Sequence, residues 1–378
     1  MIYRKFGRTD AMVSQLGFGA MRFPLTEPYD PTKIDEVKAA EMLHYAIDNG
    51  VNFIDSAYPY HRQTSEIFLG KALKNGYRRK VYLSTKLPVW LVKAKTDSLR
   101  YFDEQLQRLQ VDQIDMYLLH SLGKNSWKTV NEYGILDFVD KILDAEKIRY
   151  AGFSYHDDLP LFKEIVDAYP WKFCLIHLNY VDDQYQAGLE GMEYAYKKGL
   201  AVMVMEPLRG GRLANNVPPE VLSIMQQSGR TQTPAEFALR WVLNRPEVSC
   251  VLSGMSTLEQ VIANVSFAAE EHVNSLTEED LQLYYQAKKF YHSKTKVSCS
   301  QCGYCQPCKQ KIPISFILDL YNDACMYDAV KESSWAYRVF IKPENRGDQC
   351  TECGECEEKC PQKIPVSELI KEAHELLK

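Results

Sequence analysis

The sequence lacks several features that would tie it to a membrane, a leader or a nucleic acid. No apolar run approaches the roughly 20 residues that cross a bilayer, and no charged-then-apolar leader is read in the opening Met1-Ile2-Tyr3-Arg4-Lys5-Phe6-Gly7. No basic stripe runs along the chain, and its net charge is −5, which excludes nucleic acid as an expected partner. No internal repeat is visible beyond an alternation of short apolar runs with helix-like segments and one doubled group of cysteines. These absences lead us to expect a soluble, cytoplasmic protein with neither a membrane nor a nucleic-acid partner.

Cysteine, by contrast, is abundant. The 378 residues include eleven, and eight of them fall in two tight groups beyond residue 298, leaving Cys174, Cys250 and Cys325 apart. Cysteines two residues apart are awkward disulfide partners and good co-ligands, so the grouping points to metal. The length fits two domains, or one large barrel with an appendage, and 46% hydrophobic residues suffice for a sizeable core.

After an N-terminal stretch that alternates about Gly7-Arg8-Thr9-Asp10, as a β-hairpin would, short apolar runs begin at Leu16, Val51, Val81, Ile114, Tyr150, Phe173, Ala201 and Ser249. Helical periodicity follows each of them. Examples are Val37, Ala40, Leu43 and Ile47, then Leu99, Phe102, Leu106 and Leu109. Eight strand-then-helix units in about 270 residues are the size of a (β/α)8 barrel. The fold class is therefore α/β: a TIM barrel over 1–285 with an N-terminal hairpin, and a small, mainly helical domain over 286–378. The 207–233 stretch reads as a long loop, and 313–340 as helical.

Three strands end on reactive side chains. Asn52-Phe53-Ile54-Asp55 is followed at a distance of five by Tyr60, Ser84-Thr85-Lys86 closes the next strand, and Tyr117-Leu118-Leu119-His120 the one after. Barrels of this kind gather reactive groups at the C-terminal ends of their strands. Any one of these residues alone is more often a structural ion pair or a satisfied core histidine. As an ordered set they make a proton-donating constellation. Tyr60 is the acid/base, Lys86 its charged neighbour, Asp55 the orienter of Lys86, and His120 the hydrogen-bond donor to a carbonyl. These motifs, together with the hairpin start, resemble the aldo-keto reductase family over roughly residues 1–285.

The resemblance implies a nicotinamide dinucleotide, NADP(H) or alternatively NAD(H), lying across the barrel mouth. It implies contacts from Ser154 and His177 near the nicotinamide. Pro207, Leu208, Arg209 and Gly211 would run along the pyrophosphate, and Gly254, Gln260 and Asn264 would surround the adenosine end. The chain departs from the family pattern at three places. His177 stands where a glutamine is usual, Met205 where an aromatic residue stacks, and Gly254 and Gln260 where basic residues hold the 2′-phosphate. Tyr58, Trp90, Trp127 and Tyr155 are expected to line an aromatic substrate site.

The cysteine groups are Cys299, Cys302, Cys305 and Cys308, and then Cys350, Cys353, Cys356 and Cys360, the last followed by Pro361. The second has the spacing of a bacterial ferredoxin run, in which the fourth cysteine serves the other cluster. The module resembles helical two-cluster ferredoxins, which implies two [4Fe–4S] clusters with crossed ligands: Cys299, Cys302 and Cys305 with Cys360, and Cys350, Cys353 and Cys356 with Cys308. Zinc would also use eight thiolates, but its sites usually pair two Cys-x2-Cys knuckles across a long loop. The expected function is hydride transfer between NAD(P)H and an aldehyde, a ketone or the corresponding alcohol. The clusters would carry electrons to a protein carrier or support the structure. The alternative is an electron-transfer protein whose barrel is only a docking scaffold.

Overall fold

Ten strands and fifteen helices can be followed through the computed structural model, which describes residues 1–27, 30–215, 217–299, 305–360 and 362–378. The strands are β1 (Tyr3–Lys5), β2 (Met12–Ser14), β3 (Leu16–Gly19), β4 (Phe53–Asp55), β5 (Tyr82–Leu87), β6 (Ile114–Leu122), β7 (Ile148–Tyr155), β8 (Phe173–His177), β9 (Ala201–Met205) and β10 (Val248–Ser253). β1 and β2 form the antiparallel hairpin, and β3 to β10 close into an all-parallel eight-stranded barrel in sequential order. The helices between them are α1 (Glu36–Asp48), α2 (Ser65–Ala72), α3 (Asp97–Leu109), α4 (Lys124–Glu132), α5 (Ile135–Asp144), α6 (Leu159–Ala168) and α7 (Gly188–Lys198). Then come α8 (Pro219–Gln226), α9 (Pro234–Leu243) and α10 (Leu258–Glu270). The chain divides into two compact units, one of residues 1–210 with 235–277, the other of 211–234 with 278–378.

The barrel interior is filled by Phe53, Met116, Leu118, Phe173, Leu175, Met203 and Leu252, all at alternate positions of their strands, as the two-residue side-chain period requires. The hairpin packs Phe6, fully buried, among the rings of Phe53, Tyr150 and Phe173. Its turn needs Gly7: φ is +56°, and a Cβ there would lie 2.5 Å from the backbone nitrogen of Ala201. Gly17 in β3 serves the same packing, since a Cβ would collide with the side chains of Leu252 and Cys250. Cys174 and Cys250 are fully buried, and burial pushes both thiols up, so they are inert small hydrophobes.

Two helices bury faces different from those the apolar spacing suggests. In α3, Leu99 is exposed while Tyr101, Phe102, Gln105 and Leu109 face inward. In α1, Val37 is exposed and Met42, Leu43, Ala46 and Ile47 face inward. For α3 the reason is polar: Gln105 is needed inside, where it bonds four groups described below. The 207–233 stretch is also less loop-like than its composition suggests, because Pro218-Pro219 open α8 rather than break a helix.

In the second unit, α11 (Glu278–Ser293), α12 (Ile314–Met326), α13 (Val330–Phe340), the single-turn α14 (Glu355–Glu358) and α15 (Val366–Leu377) surround a core that includes Ile317, Leu318, Tyr337 and Ile370. The helical reading of 313–340 resolves into two helices, separated where Asp328 takes a left-handed φ of 50°. Half-buried ion pairs fasten the 211–234 segment here, with Arg212 to Asp323 and Arg230 to Asp280, both 2.8 Å. No described helix is long and apolar enough to cross a membrane.

Candidate active site and cluster module

Strand register brings the barrel residues together. Asp55 pairs with Ser84 across β4 and β5, so Lys86, two positions on, points to the same side as Ser84, toward Asp55. Lys86 pairs with Leu118 in β6, which puts His120 one layer above it. The result is a buried set of contacts. Lys86 Nζ donates to Asp55 Oδ2 at 2.6 Å and to the carbonyl of Ser56 at 2.6 Å, and it lies 3.5 Å from the Tyr60 hydroxyl. Ser84 Oγ donates to the other Asp55 oxygen at 2.9 Å. His120 stands edge-on to the Tyr60 ring, with centroids 6.2 Å apart.

Tyr60 and not Tyr58 meets Lys86. Its placement depends on an unusual backbone: His61, Arg62 and Gln63 all have positive φ, which costs non-glycine residues about 1–2 kcal/mol each. His61 holds this turn by accepting from Phe23 N at 3.2 Å through Nε2, so its Nδ1 carries the proton and donates to Pro31 O at 3.0 Å.

The charges follow from burial against pairing. Burial is the strongest influence on Lys86 and opposes its ammonium, but Asp55 and Tyr60 together outweigh it and leave the pKa raised. Tyr60 is half-buried, and burial is the strongest influence on its phenol, pushing the pKa up. Lys86 pulls it the other way without winning, while Asp55 and Glu206 reinforce the rise. The expectation that Lys86 depresses this pKa therefore holds for its own contribution but not for the net in the free protein. Burial, then Lys86 and His156, hold His120 well below its ordinary value, so it is a neutral imidazole, and its buried Nδ1 has no hydrogen-bond partner.

Behind Lys86 lies a polar layer that the sequence analysis missed. Glu66 is fully buried and accepts from Thr85 Oγ1 at 2.6 Å and from Gln105 Nε2 at 2.7 Å, with Arg108 at 3.4 Å. Gln105 also donates to the Lys86 carbonyl at 3.1 Å and to Thr85 Oγ1 at 3.1 Å, and it accepts from Tyr117 at 2.7 Å. These bonds fix the end of β5. The supposed aromatic walls mostly turn away. Tyr58 donates to Glu104, Trp127 to Glu164, and Tyr155 to the Asp158 carbonyl, and all three are buried. Trp90 alone of the four is exposed, its ring 5.0 Å from that of His120.

The dinucleotide candidates form two groups. Ser154, buried at the end of β7, accepts from Ser121 N at 2.7 Å. His177 lies 3.0 Å from Asp182, which also accepts from Asn179 at 3.0 Å and pairs with Arg209. Burial opposes the Asp182 carboxylate, but Arg209 and His177 outweigh it and hold its pKa below the ordinary range. Pro207 is buried and Leu208 half-buried after β9, and Gly211 begins the segment grouped with the second unit. Across from these, Asn264 donates to Ser253 Oγ at 3.2 Å, and Gln260 accepts from Ser256 N at 2.8 Å.

Between these loops lies Arg22, another residue missed in sequence. A Cβ on Gly254 would touch its Cγ and Cδ at 3.3 and 3.2 Å, and one on Gly210 its guanidinium at 3.1 Å. Arg22 has no ion-pair partner among the described residues, so a free cation lies along two glycines at the mouth.

In the second unit, Cys305, Cys308, Cys350, Cys353 and Cys356 line one cavity with Ile312, Ile314 and Ile370. Burial raises the Cys350 thiol, and the nearby Cys308 and Cys353 add to the rise. Burial likewise pushes Cys356 up to about 11, with Glu357, Cys350 and Cys353 contributing. Cys305 and Cys308 of the first group thus lie beside three cysteines of the second. Cys299 and Cys360 pack against the same core, and Cys302 lies outside the described residues. A cavity lined by this many thiols suits an iron–sulfur cluster.

A model of the aldo/keto reductase family matches residues 15–287. The chain belongs to the aldo/keto reductase family. A model of a 4Fe-4S dicluster domain matches residues 298–365. The chain is 28% identical over 309 residues to L-galactose dehydrogenase of Arabidopsis thaliana, covering 74% of this chain and 91% of that one. It is 25% identical over 327 residues to probable aldo-keto reductase 1 of Glycine max, covering 75% and 88%. The holo form of aldo-keto reductase AKR11C1 from Bacillus halodurans superposes with a TM-score of 0.63 at 27% identity, covering 76% of this chain and 96% of that one. This aldo/keto reductase is therefore an oxidoreductase with an iron–sulfur domain.

Proposed function

We propose that the barrel, residues 1–285, transfers a hydride between NADP(H), or alternatively NAD(H), and an aldehyde, a ketone or the corresponding alcohol. The observation that carries this reading is Lys86 Nζ reaching both Asp55 and the Tyr60 hydroxyl at the barrel mouth. The bound dinucleotide supplies the hydride. Tyr60 gives its phenolic proton to the carbonyl oxygen as negative charge develops there. Lys86 stabilises the phenolate left behind, and Asp55 keeps Lys86 charged and fixed. His120, neutral, offers one N–H to the carbonyl oxygen. In the reverse direction the Tyr60 phenolate takes the proton from the alcohol. Arg22 supplies the cation for a dinucleotide phosphate, while Ser154 and Asn264 serve the two ends of the groove. Arg209, His177, Pro207, Leu208, Gly254 and Gln260 complete its walls.

The pH dependence tests the proton donor. Because the phenol is pushed up, reduction needs a proton that is present at neutral pH and lost only as pH rises through the Tyr60 pKa. Because His120 is held down, it stays neutral. The kcat/KM for reduction should be flat from about pH 7 to about pH 10, the ordinary tyrosine value. A fall centred near neutrality would assign the proton to another group.

We further propose that residues 286–378 hold two [4Fe–4S] clusters with the crossed ligands set out above. The cluster of Cys350, Cys353, Cys356 and Cys308 fits the shared cavity. Protein purified without oxygen should carry about eight irons and as many sulfides. Changing Cys308→Ser should lose the cluster of the second group, leaving about four irons. Loss of all iron, or of none, would contradict the crossed assignment.

A further inference from the structure

We infer that Arg108, near the end of α3, is a positioning residue for the proton donor: its guanidinium grips the turn on both sides of Tyr60 and so holds the Tyr60 hydroxyl at Lys86. The inference rests on the hydride-transfer reading above. Tyr60 is followed by three residues of left-handed backbone, His61, Arg62 and Gln63, with φ of 50°, 47° and 76°. Side chains disfavour that region, so such a run persists only where its surroundings over-determine it. Phe23 and Pro31 hold His61 from one side. Arg108 holds the turn from another. Its Nη2 donates to Gln63 Oε1 at 2.8 Å and to the Tyr58 hydroxyl at 3.2 Å, and its guanidinium carbon lies 4.2 Å from the centre of the Tyr58 ring. It also lies 3.4 Å from Glu66, in the first turn of α2, and 3.4 Å from Glu104. Tyr58 is buried and donates to Glu104 at 2.8 Å, so its phenol accepts and donates at once.

Any cation at this place could meet Glu66 and Glu104. Only a planar fork can also lie over a ring while donating to a neutral phenol and a neutral amide. The fork is itself anchored, because α2 and α3 meet closely: a Cβ on Gly70 would collide with the carbonyl oxygen of Arg108. Its partners among the described residues are Tyr58, Gln63, Glu66 and Glu104, so its grip on Tyr60 runs through the chain between 58 and 63. Loosening that grip lets the Tyr60 hydroxyl drift from Lys86, which lies 3.5 Å away. A misplacement of about 1 Å in a reacting group can cost about 10²-fold in rate. It would also change the proton's hold. Burial raises the phenol's pKa most, Lys86 on β5 draws it down, Asp55 on β4 and Glu206 after β9 raise it further, and neutral His120 on β6 stands beside the ring. Distance from Lys86 weakens the one group that lowers it, so the phenol should ionise at a higher pH.

The test uses the holoenzyme with NADPH and three aldehydes: propanal, glyceraldehyde and 4-nitrobenzaldehyde. Arg108→Gln should lower kcat by about 10²-fold, with KM and NADPH affinity unchanged. Arg108→Lys should recover little of that loss, since an ammonium keeps the charge and loses the fork. Gln63→Ala removes one exposed partner and should lower kcat by about fivefold. In the Arg108→Gln background it should add nothing, because both changes break the same contact. 3-Fluorotyrosine placed at position 60 gives a readout independent of turnover. Its 19F titration midpoint should lie at higher pH in Arg108→Gln and in Gln63→Ala than in the parent protein. If Arg108→Gln does not fold, Gln63→Ala decides alone. A kcat unchanged in the variants, or a midpoint that does not move, overturns the inference while leaving the reaction intact. A midpoint that moves in a protein reducing none of the aldehydes supports the positioning and sinks the reaction. Neither a moved midpoint nor turnover overturns both.

Discussion

Replacing Tyr60 by Phe is expected to lower kcat/KM for aldehyde reduction by about 10²–10⁴-fold, the usual worth of a positioned general acid. The substitution removes one oxygen and keeps the ring, so the edge-on contact with His120 and the cation over the ring at 4.9 Å should survive. Dinucleotide affinity and the visible spectrum of the clusters should therefore be unchanged. Lys86 would keep its two strongest bonds, to Asp55 and the Ser56 carbonyl, so stability should change little. Steady-state kinetics with dinucleotide binding by fluorescence checks this. Unchanged turnover would remove Tyr60 from the mechanism, and lost dinucleotide binding would make its role one of position.

The second large effect concerns stability. Lys86 and Asp55 are both almost wholly buried, and they form the innermost ion pair of the barrel mouth. Removing one partner of a buried pair strands the other charge and costs about 3–5 kcal/mol, whereas replacing both is often close to neutral. Lys86→Met should therefore destabilise the protein by about 3–5 kcal/mol. The double variant Lys86→Met with Asp55→Asn should recover most of that loss and still lack activity. Urea unfolding of the two variants, followed in the holoprotein, separates the cases. A double variant as unstable as the sum of its parts would mean that the Ser84 and Ser56 bonds, and not the pair, hold this site. The same comparison separates function from structure, since activity should not return with stability.

Much of this site is readable in sequence because strand ends announce themselves. Asp55, Lys86 and His120 each close a short apolar run, and parallel register then does the rest, bringing residues 31 positions apart to 2.6 Å. The layer behind them is not readable in the same way. Glu66 and Gln105 look like ordinary polar positions of helices, and only helix-on-strand packing reveals that they are buried and joined to Thr85 and to the Lys86 carbonyl. Apolar spacing even misassigns the face of α3, because a leucine there is exposed so that a glutamine can be inside. Aromatic residues mislead for a related reason. Tyr58, Trp127 and Tyr155 sit near strand ends, but each has a polar tip that finds a partner in the helical layer, and side-chain direction is not written in spacing. Asp182 and Arg22 escape notice because they lie in irregular loops, where periodicity carries no signal. The cysteine groups are the opposite case: their spacing is local, so it survives in sequence, and one cavity brings Cys305 and Cys308 together with Cys350, Cys353 and Cys356.

The presence of iron–sulfur clusters in a reductase leaves two routes by which electrons could reach a carbonyl, and one labelling experiment distinguishes them. NADPH deuterated at C4 on its transferred face is used to reduce an aldehyde in ordinary water, and the alcohol is examined by NMR. Direct hydride transfer beside Tyr60 predicts one deuterium on the carbinol carbon, with the hydroxyl hydrogen drawn from solvent. A carbinol hydrogen drawn from water, with turnover that fails when the clusters are removed, would contradict the account and make the barrel an entry port for one-electron chemistry.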